Sequence, residues 1–315
     1  HVSASATSDA ARDAAARTRA HELAAASARQ GGVPASEPKP EHSRGVAAVF
    51  AGLLLAMFVS TLSETVTATA LPTIVGDLGG VDHMQWVTTA YILASTVMMP
   101  IYGKLGDLFG RKYLFIIALS IFIVGSATCG LAPSMDGLIA GRAVEGLGGG
   151  GLIILAQATI ADIIPPRQRG KYMGLMGSVF AVSTVVGPLL GGWFVQVTGW
   201  RWLFAFNIPL ALLAIAAVAF FLTKPVRRDD RPPIDIGGMM AMAVSVSSLV
   251  LATAWGGTLF PWISPQIFAL FALFFVAAVA FVLVERKAKE PIIPMLLFKN
   301  RNFVVCTVTG MFIML

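Results

Sequence analysis

Nine long apolar segments, separated by short clusters of charge, constrain this sequence more than any other feature. They lie near residues 46–71, 85–103, 114–132, 137–160, 172–196, 202–223, 236–257, 264–284 and 302–315. A run of about 20 apolar residues matches the hydrocarbon core of a bilayer. In that solvent each segment must satisfy its own backbone hydrogen bonds, which a helix does. Composition agrees: 56% of the residues are hydrophobic and only 13% charged, about half the charged share of an ordinary soluble domain. A disordered chain is excluded and a soluble enzyme disfavoured. The expected fold class is an all-α membrane protein. Residues 1–45 are rich in Ala, Ser and Arg and lack the apolar core of a signal peptide, so they read as a disordered, solvated tail.

Charge sets the orientation. All but two of the 23 Lys and Arg fall in the tail or in alternate loops: 104–112, 167–171, 224–231 and 286–301. The exceptions are Arg142, inside a run, and Arg201. Basic loops stay on the cytoplasmic side, which implies a multi-pass protein of the cell membrane with its N-terminus inside. The pI of about 9.6 is accounted for in this way, and no nucleic-acid partner is expected. Cys129 and Cys306 sit in separate apolar runs and the four His residues show no ligand spacing, so neither a metal nor another cofactor is expected. The last run has about 14 residues, too short to cross a bilayer; a longer natural protein with further spans is expected.

Several local patterns carry chemistry. Gly146-Leu-Gly148-Gly-Gly-Gly151 matches a dinucleotide fingerprint, but it lies mid-run with no strand before it, so close helix packing is the better account. In the segment Gly103-Lys104-Leu105-Gly106-Asp107-Leu108-Phe109-Gly110-Arg111-Lys112, three glycines suit a tight helix-to-helix turn. There Asp107 can accept from the next helix's first amides and pair with Arg111. In the fifth run, Ser183, Gly187 and Gly191 recur every four residues and share one helix face, while Pro188 beside them should kink the helix. Gly192 follows.

Only Glu64, Arg142 and Glu145 are ionisable deep within apolar runs. A charge at mid-bilayer costs about 2.5–3.5 kcal/mol even on insertion scales, so such residues face a cavity or one another. Arg142 and Glu145 are three apart on one helix and can meet as an intramembrane charge pair, structural or functional. Glu64 has no local partner. Ser60, Ser63, Glu64 and Thr67 draw one polar stripe on the first helix, suited to a water-filled pathway or to a polar packing seam. Thr88, Tyr91, Ser95 and Tyr102 draw a similar stripe on the second, suited to a substrate pocket or to ordinary core.

These residues resemble a known family. Gly103 to Lys112 is similar to the cytoplasmic loop motif of the major facilitator superfamily, Arg142-x-x-Glu145-Gly146 to its fourth-helix motif, and Gly187-Pro188-x-x-Gly191-Gly192 to its antiporter motif. Leu62-Ser63-Glu64-Thr65 through Ala70-Leu71-Pro72 resembles the first-helix motif of drug:proton antiporters, and Glu290-Pro291-Ile-Ile-Pro294 to Phe303 resembles the stretch opening the second half of fourteen-span members. The pattern differs in three places: the first-helix acid stands at Glu64 instead of Ser63, Glu145 replaces a Gln, and Ser183 a Gly. The resemblance implies a major facilitator fold: an N-terminal six-helix bundle over 46–223, two extra linking helices over 236–284, and the start of the C-terminal bundle at 302–315. It also implies a transporter and no enzyme: a secondary antiporter exporting amphipathic drugs, cationic ones among them, against protons by alternating access. Multidrug efflux and antibiotic resistance would follow. Glu64 is the expected proton-coupling residue, Gly103, Asp107, Gly110, Arg111 and Lys112 a cytoplasmic latch, and Ser183 to Gly192 the moving helix. The alternatives are an exporter of one endogenous lipid or metabolite, and a non-transporting sensor or scaffold.

Overall fold

The computed structural model describes residues 40–222, 235–288 and 299–314. The chain divides into a unit His1–Arg44, described only for its helical backbone from Pro40, and a unit Gly45–Leu315 that holds the bundle. The described residues form nine α-helices: α1 Pro40–Leu78, α2 Met84–Phe109, α3 Arg111–Gly130, α4 Met135–Ile163, α5 Pro166–Val197, α6 Arg201–Phe221, α7 Ile236–Trp255, α8 Pro265–Glu285 and α9 Arg301–Met314. Residues 1–39 of the expected tail, most of the 224–235 connection and the Glu290–Pro294 segment lie outside the described residues; from Pro40 onward the backbone is already helical.

Each apolar run became a helix, and the first, second, fourth and fifth helices extend past both ends of their runs. Apolar composition marks only what fits the hydrocarbon; a helix stops where its backbone is punctuated. Thus α2 continues past residue 103 to Phe109 and ends at Gly110, whose φ of 92° admits glycine readily. Starts are capped where the sequence supplies an oxygen: Ser134 accepts from the Gly137 amide, Asp235 from Gly238 and Ser264 from Ile267. Two basic residues close C-termini. Lys112 donates to the Ala219 and Leu222 carbonyls, both at 2.6 Å, and Arg169 to Ile164 at 3.1 Å.

Seven of these helices are long and apolar enough to cross a membrane. Helix α2 has 26 residues, but polar groups such as Gln85, Thr88, Tyr91, Lys104 and Asp107 dilute its hydropathy. Helix α9, at 14 residues, is too short. The protein is a multi-pass membrane protein.

Helix α4 is the hub, wedged between α2 and α3. Its glycines make this possible. A Cβ at Gly146 or Gly150 would strike the α2 backbone at Tyr91 and Ser95; one at Gly148 would strike α3 at Ala118 and Phe122. The glycine run is therefore a packing device, as its mid-run position suggested. Two apolar clusters fill the bundle. One, toward the 104–112 end, centres on Phe115, Phe122, Leu152 and Val218; the other, toward the opposite end, on Leu62, Ile74, Leu138 and Phe204. Between them lies a buried polar layer that includes Ser60, Ser126, Arg142, Glu145 and Asn207.

Candidate functional site

The polar layer is built around one ion pair. Arg142 and Glu145 are 1% and 0% exposed, and Arg142 Nη1 lies 2.6 Å from Glu145 Oε2. The i,i+3 spacing on α4 sets this contact, and neighbouring helices complete it. Ser63 of α1 donates to Glu145 Oε1 at 2.7 Å and accepts from Arg142 Nη1 at 3.1 Å, so one hydroxyl bridges both charges. Ser126 of α3 donates to the same Oε1 at 2.7 Å. The Cys129 thiol stands 3.9 Å from Oε2. On the other side Arg142 Nε reaches the Val87 carbonyl at 3.4 Å, and its guanidinium lies 4.1 Å over the Tyr91 ring. Four helices thus meet on this pair.

The two expected polar stripes divide accordingly. Ser60 is 2.9 Å from the Tyr91 hydroxyl, Ser63 is committed to the ion pair, and Thr67 donates to its own helix at Ser63. Ser95 donates to the Ile92 carbonyl, and Tyr102 packs on Gly151. These five and Tyr91 are buried. The hydroxyls of Ser60, Ser63, Thr67, Tyr91 and Ser95 are engaged in interhelical or local bonds. Glu64 and Thr88 differ: both are only half-buried, and among the described residues no hydrogen bond or ion pair reaches Glu64.

Helix α5 lies against α1 through the predicted face. Ser183 Oγ is 2.8 Å from Thr61 Oγ1, a Cβ at Gly187 would collide with the Thr65 side chain, and one at Gly191 would meet the Val66 carbonyl at 3.2 Å. Gly192 faces open space and takes no part in this contact. The helix runs unbroken through Pro188, which is exposed.

The 103–112 segment is not a three-glycine turn. Gly103 and Gly106 are helical within α2, and Gly110 alone makes the bend. Gly106 instead admits Leu155 of α4, which a Cβ would crowd at 2.9 Å. Asp107 meets Arg111 at 2.9 Å, and α3 begins without a side-chain cap. Arg111 also pairs with Asp162 at 2.7 Å, near the end of α4. Asp162 was not singled out from the sequence: it lies far along the chain in an acid-poor stretch, and only the packing of α4 on α3 brings it near. Ser126 carried no signal either, since a lone serine in a membrane helix is unremarkable until its partner is known.

The family model described as Major Facilitator Superfamily matches residues 53–315. The chain belongs to that superfamily. The chain is similar to the multidrug transporter protein MdtP of Bacillus subtilis, 45% identical over 263 residues, covering 83% of this chain and 48% of that protein. It is also similar to the efflux pump FUS6 of Gibberella fujikuroi, 37% identical over 277 residues, covering 85% of this chain and 50% of that protein. The chain spans about half the length of the curated relatives it matches. Among solved structures, the POT family transporter PepTSo superposes with a TM-score of 0.53 at 14% identity, over 76% of this chain and 54% of that one, a likeness of fold alone.

Proposed function

We propose that this chain supplies the first six spans and the two linking helices of a fourteen-span antiporter that exports amphipathic small molecules against protons by alternating access. The observation that carries the reading is the contrast between two membrane acids. Glu145 is closed off by Arg142, Ser63 and Ser126. Glu64 is half-buried on a membrane-spanning helix without a bonded partner among the described residues. A carboxyl so placed can hold a proton or a cationic substrate in turn, and the two compete for one charge. The relatives, a multidrug transporter and an efflux pump, support the substrate class and direction. The basic loops support a cytoplasmic position for the 104–112 segment. The full-length protein in proteoliposomes is expected to accumulate a cationic dye against its gradient only when a pH gradient is imposed. Downhill movement indifferent to pH would reject the coupling.

The Asp107–Arg111–Asp162 cluster fits a latch. Both aspartates are 61% exposed at their side chains, and exposed pairs contribute only about 0–1 kcal/mol to stability. Contacts this weak do little for the fold but can bias two conformers whose energies are close. Asp107→Asn is therefore expected to leave insertion and thermal stability nearly unchanged while slowing export several-fold. Transport at the wild-type rate would remove the latch.

A further inference from the structure

The end of the bundle opposite the 104–112 segment carries an apolar groove of about 280 Å³ between α3 and α6. Ala127 and Gly130 form one wall; Trp202, Ala205 and Ile208 form the other. Arg201, the first residue of α6, stands at its rim. Its Nη2 donates to the Ala132 carbonyl at 3.1 Å, and its guanidinium lies 4.3 Å over the Trp200 ring. Trp200 is itself held, its indole N–H donating to Asp77 at 2.9 Å. Yet no carboxylate pairs with Arg201 among the described residues, and the side chain is exposed. The segments 79–84, 131–134, 198–200 and 256–264, which join helices at this end, contain no Lys or Arg. A single fixed cation thus sits over an apolar slot at a membrane-water boundary. Leu131 and Trp202, 82% and 58% exposed, flank it, and an exposed Trp suits headgroup level.

We propose that this groove binds an anionic glycerophospholipid, one acyl chain lying between α3 and α6 and the phosphate accepting from Arg201. Charge complementarity selects the occupant. A guanidinium presents a planar fork that matches phosphate oxygens, and only one of the donors of this exposed side chain is given to Ala132. The carbonyl and the indole hold it in place before binding, so little side-chain freedom is lost. Phosphatidylglycerol offers phosphate without an ammonium group to oppose the arginine; phosphatidylcholine does not.

The test is native mass spectrometry of the full-length protein in detergent, titrated with phosphatidylglycerol or phosphatidylcholine. The first phosphatidylglycerol adduct should form about tenfold more tightly, the value of one charge-assisted hydrogen bond. Arg201→Gln should bring phosphatidylglycerol down to the phosphatidylcholine level, Arg201→Lys should keep part of the preference, and Ala205→Phe, which fills the slot, should weaken both lipids. If Arg201→Gln does not fold, Arg201→Lys and Ala205→Phe decide. An undiminished preference in Arg201→Gln, or binding of both lipids unchanged in Ala205→Phe, would overturn the proposal; the latter result would mean that another protein segment or no lipid occupies the groove.

Discussion

Arg142→Met and Glu145→Leu are each expected to lower stability by about 3–5 kcal/mol, because each strands the other charge in a site sealed from water. The surrounding polar contacts cannot absorb that loss. Ser63 and Ser126 each donate one hydrogen bond to Glu145, and interhelical bonds of this kind in membranes average only about 0.6 kcal/mol. The charge pair therefore dominates the layer. Its removal as a pair is a different matter, since well-packed apolar residues can replace a buried ion pair at little cost. The double variant Arg142→Met/Glu145→Leu should melt higher than at least one of the single variants. Thermal unfolding followed by fluorescence-detected size exclusion in detergent measures this. Strictly additive losses would show that the two charges do not depend on each other. A double variant that is stable but inert in transport would give the pair a role in the mechanism beyond holding α1, α2, α3 and α4 together.

The second large effect concerns Glu64. Glu64→Gln is expected to abolish uphill, pH-driven export while leaving substrate binding measurable. The exchange of carboxyl for amide is nearly isosteric, so packing on α1 is preserved and only the titrating group is lost. Glu64→Asp should retain part of the activity, since it keeps the carboxyl but shortens its reach. Because no bonded partner holds Glu64 among the described residues, neither change strands a charge, and both variants should insert and melt close to the parent. Transport in proteoliposomes under an imposed pH gradient distinguishes the outcomes. If Glu64→Gln still pumps uphill at the parental rate, coupling resides in another acid and the proposed division of labour between Glu64 and Glu145 fails.

Much of this was legible from residue order alone. The membrane class and the helix count rest on apolar run length, a local property of a chain that must dissolve in lipid. The Arg142–Glu145 contact was legible for the same reason: spacing on one helix fixes it before any neighbour arrives. Helix ends were less so, because apolar patterning reports the bilayer and says little about where backbone hydrogen bonding stops. Glycines were read well where they recur on one face, as at Gly187 and Gly191, and less well at Gly103 and Gly106, which lie within a helix instead of a turn.

What only the tertiary structure decided is which polar side chains face one another. Ser60, Ser63, Glu64 and Thr67 share one helical face, and nothing in their spacing separates a wetted wall from a packing seam. The answer depends on Tyr91 and Glu145, which lie 31 and 82 residues from Ser60 and Ser63 and are brought there by the glycine-lined contact of α2 with α4. Asp162 joins Arg111 through the packing of α4 on α3. Hydropathy and charge are properties of segments and survive in the sequence, whereas a hydrogen bond between helices is a property of a pair, and its partner is named only when the helices pack.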